Sequence, residues 1–276
     1  METPLLELKS ISFAYEEQPE TLRSLSLSFS SGEKVAVIGG NGAGKSTLFL
    51  CCNGVLQPQK GEILLRGQKI SAKKKDLNLL RQSAGVVFQD PNQQFVGATV
   101  EEEISFGPMN LCLPEAEVRR RVEQALQQLE LGSLRDRPPH LLSGGEKKRL
   151  SIAGVLAMQP ELILLDEPTA FLDGSSARGL EGTLADLHSQ GKTLVLSTHD
   201  MDFVYRWADR ALLLLDGRIA ADGLPQTVFG CRNLLDQAGL QPPILYELAG
   251  RLKDRGLLPT DAFPKTLSEL TQSAAL

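Results

Sequence analysis

Val35-Ala36-Val37-Ile38 is an unbroken apolar run that ends directly in Gly39-Gly40-Asn41-Gly42-Ala43-Gly44-Lys45-Ser46-Thr47. No other feature of the chain restricts its fold as tightly. A run with no polar member suits a strand covered on both faces, as in a parallel sheet. The segment from Gly39 matches G-x-x-x-x-G-K-[ST], whose glycines let backbone N–H groups close around phosphate at the start of a helix. In such a loop Lys45 reaches the β- and γ-phosphates, and the Ser46 hydroxyl can hold Mg²⁺. Leu162-Ile163-Leu164-Leu165 and Leu194-Val195-Leu196 read as further buried strands, with helical patterns between, so the predicted class is α/β.

Around this centre the patterning changes character. Leu25, Leu27 and Phe29 alternate with Ser26, Ser28 and Ser30, which predicts a half-buried strand in a β-rich N-terminal region. Val118, Val122, Ala125 and Leu129 recur at helical spacing after Pro114, and residues of about 92–160 read as a mostly helical inserted subdomain. Thr99-Val100-Glu101-Glu102 fits a capping box, so the acidic run Glu101 to Glu103 is read as favouring a helix start. Leu212 to Leu215, then Asp216-Gly217 and Arg218-Ile219, predicts a hairpin closing a main domain of residues 1–225. Leu245, Leu248 and Leu252 follow Pro242-Pro243 at helical spacing, and Gly256 and Pro259 then interrupt. Residues 226–276 are accordingly expected to form a short helical extension.

Two more motifs carry chemistry. The run Leu162 to Leu165 delivers Asp166-Glu167-Pro168 to the C-terminal edge of the sheet, where ligands of such folds bind. An acidic pair there can also be a solvated turn, but a phosphate loop in the same chain favours catalysis. Asp166 suits organising Mg²⁺, and Glu167 suits orienting or deprotonating the attacking water. Leu142-Ser143-Gly144-Gly145-Glu146 opens a helix through Lys147-Lys148-Arg149, placing a hydroxyl and bare backbone at a second anion-attracting helix start. Taken alone, it is equally an ordinary helix cap.

This sequence upstream of the acidic pair resembles the signature motif of the ATP-binding-cassette (ABC) family. Gln89 after Phe88, Ala170-Phe171-Leu172-Asp173 after the acidic pair, and His199 after the strand from Leu194 match the rest of that family's ordered set. The resemblance covers about residues 5–225. It implies a P-loop NTPase fold with an N-terminal β subdomain, an inserted helical signature subdomain, and ATP and Mg²⁺ as ligands. It further implies that Tyr15 stacks on adenine, that Gln89 contacts Mg²⁺ or water and senses a membrane partner, and that His199 contacts the γ-phosphate. A γ-phosphate held by the Lys45 loop cannot easily reach Ser143 of the same chain, and in the family the signature motif serves a second subunit. A homodimer sandwiching two ATP, with Asp173 near the shared interface, is the simplest expectation. A heterodimer with a close relative is the other. Phe171 departs from the small residue usual at its position.

Phe88 to Phe95, followed by Phe106-Gly107-Pro108-Met109-Asn110, is similar to the ATPase subunits of energy-coupling-factor (ECF) importers, which carry vitamins or Co²⁺/Ni²⁺. Cobalt is favoured, by resemblance of the whole chain to cobalt-importer ATPases. The implied partners are a second ATPase, a transmembrane coupling protein and a substrate-binding membrane subunit. Gln93, Gln94, Phe95 and Val96 are candidates for the groove receiving helices of the coupling protein.

Composition narrows the alternatives. The formal charge of −5 and the absence of any long Lys/Arg block argue against a nucleic-acid partner; Lys73-Lys74-Lys75 reads as a solvated helix face. The longest apolar stretch, Ala211 to Leu215, is far short of the roughly 20 residues of a membrane-crossing helix. Met1-Glu2-Thr3-Pro4 lacks the pattern of a secretory signal, and the four cysteines suggest no disulfide framework. The expected location is therefore the cytoplasmic face of the membrane, held there by partners alone. His140, His188 and His199 lie far apart, so no zinc-type site is visible. A soluble cassette protein of translation or DNA repair would bring two cassettes or long inserted arms and a basic surface. A phosphate-loop kinase or GTPase would leave the signature sequence unexplained.

Overall fold

The structure is a computed structural model that describes residues 3–273, so the expected domain limits at residues 1 and 276 lie outside the described residues. In chain order its elements are β1 (Leu6–Phe13), β2 (Leu22–Phe29), β3 (Lys34–Ile38), α1 (Lys45–Asn53), β4 (Lys60–Leu65), β5 (Gln68–Lys69), α2 (Lys74–Ser83) and β6 (Ala84–Val87). Three helices follow, α3 (Val100–Asn110), α4 (Glu115–Gln128) and α5 (Gly144–Leu156). Then come β7 (Leu162–Leu165), α6 (Gly174–Ser189), β8 (Thr193–Ser197), α7 (Met201–Trp207), β9 (Arg210–Leu215) and β10 (Arg218–Gly223). The chain continues through α8 (Pro225–Gly230), α9 (Arg232–Gln237), α10 (Ile244–Asp254) and α11 (Leu267–Ser273).

The expected α/β class holds. Six strands form a sheet of order β10-β9-β3-β8-β7-β6, parallel throughout except for the hairpin strand β10. The continuous apolar runs follow from burial on both faces. Val35 and Val37 point into a core shared with the antiparallel sheet β2-β1-β4-β5 and α1, while Ala36 and Ile38 point into a second core beneath the helices. The serine-alternating strand is β2, with Leu25, Leu27 and Phe29 inside. Asp216 and Gly217, both at positive φ, make the two-residue turn between β9 and β10. The Lys73 to Lys75 run is exposed at the start of α2.

The helical insertion is α3 to α5, and α4 buries Val118, Val122, Ala125 and the following Leu129. The Thr99 hydroxyl accepts from Glu102 N as a capping box requires, but Glu102 reaches back to Ala98 N, one residue earlier than expected. Glu103 does more than favour a helix start. It is buried, and its Oε2 accepts from Val96 N and Gly97 N, both at 2.7 Å.

The division expected at residue 225 does not coincide with a break in packing. Val228, Phe229, Leu235, Ala238 and Leu240 belong to the same core as Ala211 and Leu213. Ala238 also backs the phosphate loop: a Cβ on Gly40 would lie 2.9 Å from the Ala238 carbonyl oxygen. A separate small cluster of Ala249, Leu258 and Leu270 forms only beyond Pro242-Pro243. Within α10 the buried residue is Ala249, whereas Leu248 is exposed.

Phe229→Ala is predicted to destabilise the whole domain by about 3–5 kcal/mol, the usual cost of emptying a buried aromatic site. Urea unfolding followed by tryptophan fluorescence measures this. A loss within about 1 kcal/mol of wild type would mean that α8 is an appendage and not core.

Candidate active site

Parallel pairing sends the C-terminal ends of β3, β8, β7 and β6 to one edge of the sheet. Val37 pairs with Ser197, Leu196 with Leu165, and Leu165 with Val87. The residues that follow these strands are the Gly39 loop, His199, Asp166-Glu167 and Phe88-Gln89. Four motifs that are far apart in sequence thus meet because four strands end in one row.

There, Tyr15, residues 41–47, Gln89, Asp166, Glu167 and His199 line a single cleft of about 850 Å³. Gly44, at φ 105°, turns the loop into α1 without the strain that a side chain would bring. Lys45 is buried and its Nζ donates to the carbonyls of Gly39 at 2.7 Å and Gly40 at 3.2 Å. Burial pushes its ammonium pKa down, while Glu167 and Asp166 pull it back up. Tyr15 is half-exposed at the mouth, edge-on to Phe13, and its hydroxyl lies 3.1 Å from Thr47 Oγ1.

The acidic pair is held by one serine. Ser197 Oγ donates to Asp166 Oδ1 at 2.6 Å and accepts from Glu167 N at 2.9 Å. Spacing does not single out Ser197; its only sequence signal is a hydroxyl ending an apolar strand. Glu167 sits at φ 42°, a conformation uncommon for a residue with a Cβ and typical of strained functional positions. Its Oε1 is buried, lies 3.1 Å from His199 Nε2, and makes no aligned hydrogen bond. Burial pushes the Glu167 carboxyl above its ordinary range; His199 and Lys45 pull it down and Asp166 pushes it further up.

Ser143, Gly144, Gly145 and Asp173 are not brought to this cleft. Ser143 caps α5, accepting from Glu146 N while Glu146 accepts from Ser143 N, a complete capping box. Asp173 caps α6 through Ser175 N and Ser176 N, both at 2.8 Å. The two starts pack together, since a Cβ on Gly145 would come within 2.7 Å of Ser176 Oγ. Phe171 beside them is 87% exposed, at φ 63°. Ser143, Gly144, Gly145 and Asp173 thus carry the same anion-attracting elements on a surface that is not part of the cleft lining.

The model of the family described as ABC transporter matches residues 22–170. The chain belongs to the ABC transporter family. Among its relatives, the cobalt import ATP-binding protein CbiO of Rhodobacter capsulatus is 46% identical over 274 residues, covering 99% of this chain and 98% of that protein. The energy-coupling factor transporter ATP-binding protein EcfA2 of Methanospirillum hungatei JF-1 is 43% identical, covering 97% of this chain and 67% of that protein. The solved structure of cbiO1 from Clostridium perfringens, described as part of the ABC transporter complex cbiONQ, superposes with a TM-score of 0.75 at 38% identity. It covers 90% of this chain and 99% of that one.

A further hollow of this ABC cassette, about 300 Å³, lies between the sheet and the helical insertion. Val55, Gln94, Phe106, Gly107 and Met158 are among its lining. Of the four residues expected at a partner groove, Gln94 lines this hollow and Val96 is exposed, whereas Phe95 packs inward against the core. Gln93 instead faces a neighbouring hollow with Ser46, Gln89 and Asp166.

The raised Glu167 carboxyl has a thermodynamic consequence. A group that binds its proton more tightly in the folded chain destabilises the fold when ionised and ceases to do so once protonated. Glu167→Gln is therefore predicted to melt above wild type near about pH 7, with the gap closing as pH falls from the raised folded-state pKa to the ordinary carboxylate range. Calorimetry across pH measures it. A gap that does not vary with pH would contradict the burial argument.

Proposed function

We propose that this chain is the ATP-binding and ATP-hydrolysing subunit of an ECF-type membrane importer, with cobalt as the transported ion. The observation that carries the catalytic part is the Glu167 Oε1, buried and without an aligned hydrogen bond, on a residue that lines the same cleft as the phosphate loop. Such an atom is suited to accept a proton from water attacking a γ-phosphate. The phosphate-loop residues 39–47 bind the phosphates, Lys45 neutralises their charge, and Tyr15 covers the adenine. His199, 3.4 Å from Lys45 Nζ and beside Glu167, is in position to contact the γ-phosphate.

Mg²⁺ fits the donors available. The Ser46 hydroxyl, the Asp166 carboxylate and the Gln89 amide line one cleft, a hard-oxygen set that suits Mg²⁺ shared with phosphate oxygens. Bound there, it would supply charge neutralisation on the β- and γ-phosphates. Asp166 is pre-oriented for this by Ser197.

Ser143, Gly144, Gly145 and Asp173 then serve the nucleotide of a second ATPase subunit, most simply another copy of this chain. The importer reading draws on the CbiO and EcfA2 relatives, both alike over nearly all of this chain. Among the described residues no helix is long and apolar enough to cross a membrane. In this reading the chain is peripheral, held at the cytoplasmic face by its partners. The hollow at Phe106 and Met158 receives a helix of the transmembrane coupling protein, with the exposed Val55 and Phe106 in its lining. Cobalt itself is bound by a separate membrane subunit.

Two measurements test this reading. Glu167→Gln should keep its affinity for ATP and lose hydrolysis by roughly 10²–10⁴, the usual worth of general-base catalysis. Near-normal turnover would remove Glu167 from the role. Affinity purification from mildly solubilised membranes should recover a multi-spanning protein and a small cobalt-binding membrane protein. Recovery of a vitamin-binding subunit would replace cobalt as cargo, and recovery of ribosomes or DNA would overturn the importer.

A further inference from the structure

Lys148 has no place in the chemistry above, yet it is only 2% exposed. It lies on α5, five residues after Ser143, and a buried ammonium at such a position is costly unless it is bonded. Its Nζ donates to the carbonyl of Gln89 at 2.8 Å and to that of Phe88 at 3.1 Å.

Those carbonyls need a donor for a topological reason. The pairing of β6 with β7 ends at Val87, whose carbonyl accepts from Asp166 N at 2.9 Å. Beyond that point the chain leaves the sheet, and α5 supplies the next donors. The same helix holds the rest of the segment. Lys147 Nζ reaches Asn92 Oδ1 at 3.0 Å, and Gln94 donates to Ser151 O at 3.1 Å while accepting from Phe88 N. Burial brings the Lys148 ammonium down to about 8, with Asp166 and Asp90 as the opposing carboxylates. Asp166 is the same carboxylate that shares the cleft with Gln89.

We propose that Lys148 is the positioning residue for Gln89, fixing its backbone so that its side chain faces Ser46 and Asp166, and tying that placement to the helix that Ser143 opens. The inference rests on the role given above to Gln89. A shift of α5 carries Ser143 and Gln89 together, so the phosphate contacts offered to a second subunit and the geometry of this chain's own cleft are set by one rigid element. A hydrophobic side chain of equal length would fill the same space but leave two carbonyls without donors.

The test is a double-mutant cycle on the full chain, reading kcat, ATP affinity and melting temperature for Lys148→Met, Gln89→Ala and the pair. Lys148→Met is expected to lower kcat tenfold or more while ATP affinity stays within about threefold, because Lys148 does not line the cleft. On the Gln89→Ala background the same change should cost less than about twofold, since the residue it positions is gone. Lys148→Arg, which keeps charge and donors, should recover most of the rate. Additive losses, or a Lys148→Met enzyme at wild-type kcat, overturn the proposal while leaving Gln89 in its role. Wild-type kcat for Gln89→Ala overturns both. If Lys148→Met does not fold, Lys148→Gln, with donors for one carbonyl, carries the same cycle.

Discussion

The parallel ladder joining β3, β8, β7 and β6 is the constraint on which the rest depends. In-register backbone hydrogen bonds put Ala36, Leu196, Leu165 and Val87 at the same height, so the loops leaving these strands converge. Slipping one strand by a residue would turn its whole apolar set to the opposite face and move its motif along the edge. Burial on both faces makes that slip costly. Site precision therefore comes from the two cores, and not from the loops that carry the chemistry.

Within the cleft the dominant balance is electrostatic. Asp166 and Glu167 bring adjacent carboxylates, Lys45 brings the facing ammonium, and all three are buried. Glu167 is driven up by desolvation and Lys45 down, and each is restrained by the other. Neither ion would be stable there alone. Ser197 separates the roles of the two carboxylates: Asp166 is fixed by its hydroxyl, while Glu167 is held by its backbone and keeps a side-chain oxygen that faces His199 without an aligned hydrogen bond. That division suits one carboxylate to a cation and the other to a proton.

The features legible in the sequence were local or periodic. Unbroken apolar runs identified strands covered on both faces, the Val118 to Leu129 spacing identified α4, and the phosphate loop announced its own strand-turn-helix context. The features that stayed hidden depend on contacts between distant segments. Ser197 matters because β8 lies beside β7, Glu103 because its carboxylate folds back onto Val96 and Gly97, and Lys148 because α5 crosses the end of β6. The continuity of packing past residue 225 stayed hidden for the same reason. Val228 and Phe229 follow a change of composition, but their partners are strands laid down earlier. Gln93, Gln94, Phe95 and Val96 are adjacent in sequence and divide among two hollows, the core and the surface.

The two anion-directed surfaces of the chain remain apart, with the Lys45 loop in the cleft and Ser143 beside Asp173 outside it. The central claim is that a second copy joins them across a shared nucleotide. Its most direct test is the mass in solution of the Glu167→Gln chain, measured by light scattering with ATP and then with ADP. Twice the mass of one chain is expected with ATP, and the mass of a single chain with ADP. A single chain in saturating ATP, with nucleotide binding verified in the same sample, would contradict it.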